Sequence, residues 1–341
     1  MISWKDYDES LVRNLHRFIK DIDSWDSESL DFLIKDIQKA NEEYNIDSEE
    51  YFLYGFSASS AQHKSSYVSS KEYKQTLENS VNKEYLETYK NKYNCYCYFK
   101  DYFKRDAVKV TDFSDYPTFA QFVSKHKKYI IKVIDGSLGS KVSVVNVGEN
   151  NSIKDLFFHE LGYDGCIVEE YVVQDKVFSA FNPSSVNTIR LTTCCDNGEV
   201  QFLFSLARFG RDGAIVDNGG QGGIISMVDP KKGIIVSHGY TENIEKFEVH
   251  PNSKIAIKGF QIPRWDELIE MATELAKKAE GITVIGWDFA LTDKGWAIIE
   301  ANTFPSIFPI QMLTTQQYGH GMRDEYEKLI GKYKSTVRTE Y

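Results

Sequence analysis

Two apolar runs, 285–291 and 296–300, are separated by the turn-forming stretch Thr292-Asp293-Lys294-Gly295. This pattern predicts a β-hairpin. It constrains the fold more than any other feature, because Asp288 lies in the middle of the first run and Glu300 closes the second. Residues two apart in extended chain face the same way, so Glu300 and Asn302 share a face. The hairpin brings Asp288 opposite the region of Glu300. Two carboxylates and an amide oxygen form an all-oxygen donor set of the kind that suits Mg²⁺. Magnesium commonly completes such a set with substrate phosphates, so a nucleotide is expected as well. The competing reading is a solvated strand end with unrelated acids.

The remaining chain predicts strands at 129–134, 142–147, 166–173, 188–193 and 200–209, and helices at 153–161 and 265–278. Strands joined by tight turns, such as Asp196-Asn197-Gly198, interspersed with helices give an α+β class. The first 95 residues are different in texture. Leu11, Leu15, Phe18, Ile19 and Ile22 recur at helical spacing, as do Leu30, Phe32, Leu33, Ile34 and Ile37 behind a cap at Ser27 or Ser29. A polar stretch at 57–70 interrupts the pattern, which resumes over 71–89. The expected organisation is a helical accessory region at 1–95, a smaller α+β subdomain at 96–173 and a larger one at 174–341. A length of 341 residues accommodates this, at roughly 150 residues per domain.

Lysine and arginine number 40 against 50 acidic residues, a net charge of −10. That balance argues against a general nucleic-acid or anionic-membrane binder, since both need a positive footprint. A local basic pocket for a small anion stays open. No apolar run reaches the roughly 18 residues of a transmembrane helix. The opening Met1-Ile2-Ser3-Trp4-Lys5-Asp6 has no apolar h-region. A cytoplasmic protein is expected, and its five cysteines, Cys95, Cys97, Cys166, Cys194 and Cys195, are expected as reduced, buried small hydrophobes. His159-Glu160 opens like a zinc HExxH motif, but Tyr163 stands where the second histidine belongs.

Two further segments bear on chemistry. Lys132 lies in an apolar strand just before the loop Asp135-Gly136-Ser137-Leu138-Gly139-Ser140-Lys141. Glycines there let backbone N–H groups turn toward an anion, and the lysine adds positive charge; the alternative is a plain turn. The acidic strand Val168-Glu169-Glu170-Tyr171-Val172-Val173-Gln174 could offer a carboxylate and strand-end backbone groups to an adenine edge. By itself it looks like any other strand.

Lysine–glycine loop, acidic strand and Asp…Glu-x-Asn occur in that order. With them come Ser185-Val186-Asn187-Thr188-Ile189-Arg190, Ala207-Arg208-Phe209-Gly210, Val216-Asp217-Asn218-Gly219-Gly220-Gln221-Gly222-Gly223-Ile224 and His250-Pro251. On these stretches, over about residues 88–335, the chain resembles the ATP-grasp superfamily and most closely its sugar-transfer-associated group. The resemblance implies an ATP-grasp core of two α+β subdomains clasping a nucleotide, one of them closing as a lid, with ATP and Mg²⁺ as cofactors. It implies that Asp288, Glu300 and Asn302 hold the metal, that Lys132 binds phosphate and that Gly136, Ser137, Gly139 and Ser140 cover it. Glu169 or Glu170 and the backbone near Val172 would take the adenine, and Gln174 or Asp175 the ribose. Lys92 would be the earlier nucleotide lysine; an exposed helix lysine is the other reading.

Arg190 would reach the γ-phosphate or an acyl phosphate. An arginine inside an apolar strand needs a partner anion in any case, so a structural ion pair is the rival. Arg208, Asp217, Asn218, Gly222 and Gly223 would form the acceptor side. His250-Pro251 has no role derivable from sequence. Many relatives open with a Rossmann-like domain; here that region is expected to be helical, with no glycine-rich strand–turn–helix opening, so their substrate preferences do not transfer. The activity that the resemblance implies is ATP-dependent ligation through an acyl phosphate, joining an acidic sugar or sugar nucleotide to an amino acid or amine in surface-polysaccharide synthesis. A small-molecule kinase and a non-catalytic nucleotide-binding scaffold are the alternatives. The oligomeric state is not legible.

Overall fold

The computed structural model describes residues 4–57, 59–134, 142–148, 151–163, 165–215, 217 and 219–328. The chain divides into two compact units. One comprises the segment up to Asn79, Tyr240–Lys246 and the segment from Ser306; the other comprises Ser80–Gly239 and Phe247–Pro305.

The first unit is helical, with helices at Glu9–Phe18, Ser27–Tyr44, Ser48–Leu53, Ala61–Ser65, Ser70–Asn79 and Phe308–Tyr318. Asp26, not a serine, caps the second helix by accepting from the Ser29 amide. Leu33, Ile34 and Ile37 turn inward, whereas Phe32 falls off that face at 100° per residue and stays exposed. Gln311 is the polar centre of this unit. Its Oε1 accepts from the Val68 and Met322 amides, and its Nε2 donates to the Val68 carbonyl and the Tyr54 hydroxyl. The helical stretch expected over 71–89 is broken: Ser70–Asn79 ends, and Lys83–Lys90 begins again in the second unit. Between them Val81 forms a β-bridge with Ile282.

The second unit carries two antiparallel sheets. The four-stranded one consists of β1 (Ala107–Val110), β2 (Lys128–Val133), β3 (Ser143–Asn146) and β4 (Cys166–Glu170), in the order β1-β4-β2-β3. Alternate residues Val108, Val110, Tyr129, Ile131 and Val168 meet Phe119, Phe122 and Phe157 from helices Tyr116–Lys125 and Ile153–Leu161. β4 stops at Glu170, three residues before the expected end.

The larger sheet contains β5 (Thr188–Asp196), β6 (Glu199–Phe209), β7 (Ile224–Asp229) and β8 (Ile234–Ile235). The two-residue strands β9 (Gly239–Tyr240) and β10 (Lys246–Phe247) follow, then the hairpin β11 (Val284–Thr292) and β12 (Gly295–Asn302). The central order is β7-β6-β5-β11-β12, with β8 beside β7. Every residue of β11 is buried, which accounts for its apolar run on both sides of Asp288. Helix Trp265–Lys278 presses Leu268, Met271, Ala272 and Leu275 into the same core as Leu191, Ile285 and Trp287. Among the cysteines Cys95, Cys166 and Cys194 are buried, but Cys97 is exposed and Cys195 half-buried, so the expectation of five buried thiols fails for those two.

Candidate active site

Pairing register assembles the site. Asp288 on β11 stands directly opposite Glu300 on β12 and, on its other side, opposite Arg190 on β5. Side chains directly opposite on an antiparallel ladder lie on one face. Glu300, Asp288 and Arg190 therefore form a row across three strands. Arg208 joins from β6, where it pairs with Thr188. Gly286, two residues before Asp288, permits this crowding: a Cβ there would lie 2.7 Å from Pro305 and 3.3 Å from the Arg190 side chain.

Asp288 is almost fully buried. Its Oδ1 accepts from Arg190 Nε, and its Oδ2 accepts from Arg190 Nη2 at 2.8 Å. Arg208 Nη2 also lies 2.8 Å from Oδ2, and Asn302 Nδ2 donates to it at 3.4 Å. Burial drives the carboxyl upward, but the two guanidiniums outweigh it and hold Asp288 below its usual range. Asp288 is thus the partner anion that an arginine at 190 requires.

Asp217 sits at the edge of this group. The Thr188 hydroxyl donates to its Oδ2, and Arg208 Nε is 3.6 Å away while donating to Thr188 Oγ1 at 2.9 Å. Here burial wins over Arg208, which is shared with Asp288, and the carboxyl is raised. Glu300 is more open, and Lys92 Nζ lies 3.8 Å from it. Lys92 starts a helix, Lys92–Tyr98, capped by Asn91.

A second cluster lies on the smaller sheet. Glu169 Oε1 is 3.0 Å from Lys132 Nζ, and Oε2 accepts from Arg105 Nε at 2.6 Å. Burial raises this carboxyl too, but Arg105 and Lys132 bring it down to about 2. Glu170 accepts instead from Lys294 Nζ and the Asp106 amide, both at 3.1 Å. A shallow pocket opens where the chain leaves β4. Glu170, Val172, Lys104, Arg105, Lys294 and Ala297 are among its lining residues; Glu169 and Gln174 are not.

Gln174 faces elsewhere. Its Oε1 accepts from the Asn187 backbone amide and from Asn187 Nδ2, both at 3.0 Å, and its Nε2 donates to the Asn187 carbonyl. Asn187 also accepts from the Gly210 amide at 3.1 Å, and His250 Nε2 lies 2.9 Å from the Gly210 carbonyl. A Cβ at Gly210 would collide with Ser185 and Asn182. The Ser-Val-Asn stretch, Gly210 and His250 therefore form one lock at the ends of β5 and β6, which supplies the role for His250 that sequence lacked. Gly222 has a φ of 86° and accepts from Arg211 Nε at 2.8 Å; Gly223 leads into β7. Gly136, Ser137, Gly139, Ser140 and Asn218 lie outside the described residues.

The structure thus brings together Arg190, Arg208, Asp217, Asp288, Glu300, Asn302 and Lys92, and separately Lys132 with Glu169. Arg105 and Thr188 were missed. Arg105 follows the short helix Lys100–Phe103 and has no periodic signal of its own. For a hard cation the donor chemistry fits: two carboxylates and an amide sit on one hairpin, with Asp288 and Glu300 in register. Among the described residues no group of three or more His, Cys, Asp or Glu side chains converges as a metal site. Any cation at Asp288 would share that carboxylate with two guanidiniums.

Solved structures similar to the chain include D-alanyl-alanine synthetase A from Vibrio cholerae O1 biovar eltor, at 14% identity and a TM-score of 0.44, covering 72% of this chain and 64% of that one. N5-carboxyaminoimidazole synthetase from Staphylococcus aureus, complexed with ADP, gives 12% identity and a TM-score of 0.42, covering 70% and 52%. The ribonucleotide synthetase of that name from Thermotoga maritima gives 13% and 0.39, covering 69% and 48%. The chain spans between about half and just under two thirds of the length of these proteins. No curated protein matches it. No helix among the described residues is long and apolar enough to cross a membrane. The family described as sugar-transfer associated ATP-grasp matches residues 102–328, and the chain belongs to that family.

Proposed function

We propose that the protein is an ATP-dependent, ADP-forming carboxylate–amine ligase acting on small molecules. The reading is carried by the Glu300–Asp288–Arg190 row with Arg208 beside it, in a chain of this family. Asp288, Glu300 and Asn302 would hold Mg²⁺, which when bound neutralises phosphate charge. The pocket at Val172 and Glu170 would take the adenine, and Lys132, Lys92 and the loop 136–140 the phosphates. The division at 96–173 and 174–341 would supply the two jaws.

In this reading the substrate carboxylate attacks the γ-phosphorus of ATP, giving an acyl phosphate and ADP. Arg190 and Arg208 offset the charge that spreads over the transferring oxygens. The amine then attacks the acyl carbon and phosphate leaves. Asp217 and the glycines at 222 and 223 would border the acceptor. The family's description suggests an acidic sugar or sugar nucleotide joined to an amino acid or amine, within cytoplasmic steps of polysaccharide synthesis.

The test is incubation with Mg-ATP, a pool of acidic sugars and amino acids, and hydroxylamine. ADP with a hydroxamate supports the ligase and identifies the acid. ADP with a phosphorylated hydroxyl and no hydroxamate supports a kinase instead. AMP contradicts the acyl phosphate.

A further inference from the structure

Arg105 has only 3% of its side chain exposed, and all three of its guanidinium nitrogens are engaged. Nε donates to Glu169 Oε2 on β4, and Nη2 lies 2.5 Å from the same oxygen. Nη1 donates to the Ile298 carbonyl at 2.5 Å and to the Phe103 carbonyl at 3.3 Å. Nη2 also donates to the Ile299 carbonyl at 3.4 Å. One guanidinium therefore joins the smaller sheet to β12, the strand that carries Glu300.

The point of attachment on β12 is a bulge. Asp288 pairs with Glu300 and the next residue, Phe289, pairs with Ile298, so Ile299 is the inserted residue. A bulge interrupts the ladder and leaves backbone groups in need of other partners. Arg105 supplies donors to the carbonyls of both Ile298 and Ile299. The bulge matters because one inserted residue shifts the alternation of everything beyond it. It thereby sets how Glu300 is presented beside Asp288. The other end of the guanidinium fixes Glu169, whose second oxygen holds Lys132.

We propose that Arg105 is a positioning residue that holds the β12 bulge and the Glu169–Lys132 pair as one unit, presenting Glu300 and Lys132 to the same nucleotide. Only the identity of what they face rests on the nucleotide reading above. Arg105→Lys is the informative change. It keeps a charge against Glu169 but lacks the planar fork that reaches a carboxylate and several carbonyls together. Arg105→Met is the harsher companion.

The first readout is backbone amide exchange, which reports local opening. In Arg105→Lys the segment 295–302 should exchange at least about tenfold faster, the scale of losing hydrogen bonds to a charged donor. Helix Trp265–Lys278, as internal reference, should stay unchanged. Unchanged exchange at 295–302, or equal acceleration in both segments, overturns the proposal. The second readout is ADP binding by calorimetry with Mg²⁺ and with EDTA. With Mg²⁺ the variant should bind roughly 10–100-fold more weakly, as when a metal ligand loses its outer support, and in EDTA the change should be smaller. Equal Mg²⁺-dependent binding in both proteins overturns the proposal. If the native protein binds no ADP, the nucleotide reading itself fails, and amide exchange alone decides the role of Arg105.

Discussion

Glu169 and Asp288 occupy matching positions on the two sheets of the second unit. Each is buried, each faces two cations, and in each the cations overcome burial and keep the carboxyl low. They differ in what the cations do with their remaining donors. Around Glu169, Arg105 directs its other N–H groups to backbone carbonyls. Around Asp288, Nη1 of Arg190 and Nη1 of Arg208 make no hydrogen bond among the described residues. The side chains of those two arginines are 17% and 15% exposed, against 3% for Arg105. Burial and a lowered pKa therefore do not by themselves mark the working site. In the proposed function, donor capacity left over among the described residues does, because that capacity could meet an incoming anion. The Glu169 group reads as a fastening and the Asp288 group as a receptor.

Breaking the fastening should cost most in stability. Glu169→Gln leaves two buried cations around a neutral side chain, and removing one partner of such a pair costs about 3–5 kcal/mol. Urea unfolding at neutral pH measures it. The acid side supplies a second check. A carboxyl near 2 when folded and about 4.3 when unfolded contributes stability that is present above the unfolded value and lost as pH falls between them. That part of the acid sensitivity should vanish in the variant. A loss at neutral pH below about 1 kcal/mol, the scale of an exposed pair, would show that the group is no fastening.

Breaking the receptor should act on turnover. Asp288→Asn keeps the shape but removes the charge that holds both arginines and the proposed metal. ADP formation should fall at least about 100-fold, the scale of losing one key electrostatic group in a site. Retained turnover would remove Asp288 from the chemistry.

The two groups were unequally legible in sequence. The hairpin of 285–291 with 296–300 and the helices 153–161 and 265–278 stood out because their periodicity is local and their breakers are sharp. The opposition of Asp288 and Glu300 followed from the hairpin alone. The partners of Asp288 on β5 and β6 lie about a hundred residues away, so their identity depends on strand order, which no local pattern encodes. An isolated arginine in an apolar strand announced a need for an anion but not which one. Arg105 announced nothing, because its role arises from a bulge in a distant strand. Likewise β4 ends at Glu170, although Val172 and Val173 have strand-forming side chains. The break at Val81 was hidden because its β-bridge to Ile282 spans two hundred residues.

Arg190→Lys tests how much the receptor depends on shape. Lysine keeps the charge but cannot grip both oxygens of Asp288 and still offer a spare N–H edge. Turnover should drop about tenfold, near 1.4 kcal/mol of barrier, with little change in thermal midpoint. An equal loss in Arg190→Lys and Arg190→Ala would mean that geometry, not charge, carries the contribution.

Asp217 lies between the two cases and gives the smallest effect. It touches the receptor through Thr188 and Arg208, yet burial outweighs Arg208 and its carboxyl is raised. A raised carboxyl favours the protonated folded protein. Its contribution is present below the unfolded value, about 3.9, and is lost as pH rises through the folded one. Asp217→Asn imitates the neutral form at every pH. The variant should therefore gain on the native protein as pH rises from 3 to 7, by under about 1 kcal/mol because the contact with Arg208 is weakened at the same time. Urea unfolding at the two pH values measures this small difference. A variant that instead loses ground at pH 7 would show that Arg208 outweighs burial, and would place Asp217 with Asp288 and Glu169 as a third clamped anion.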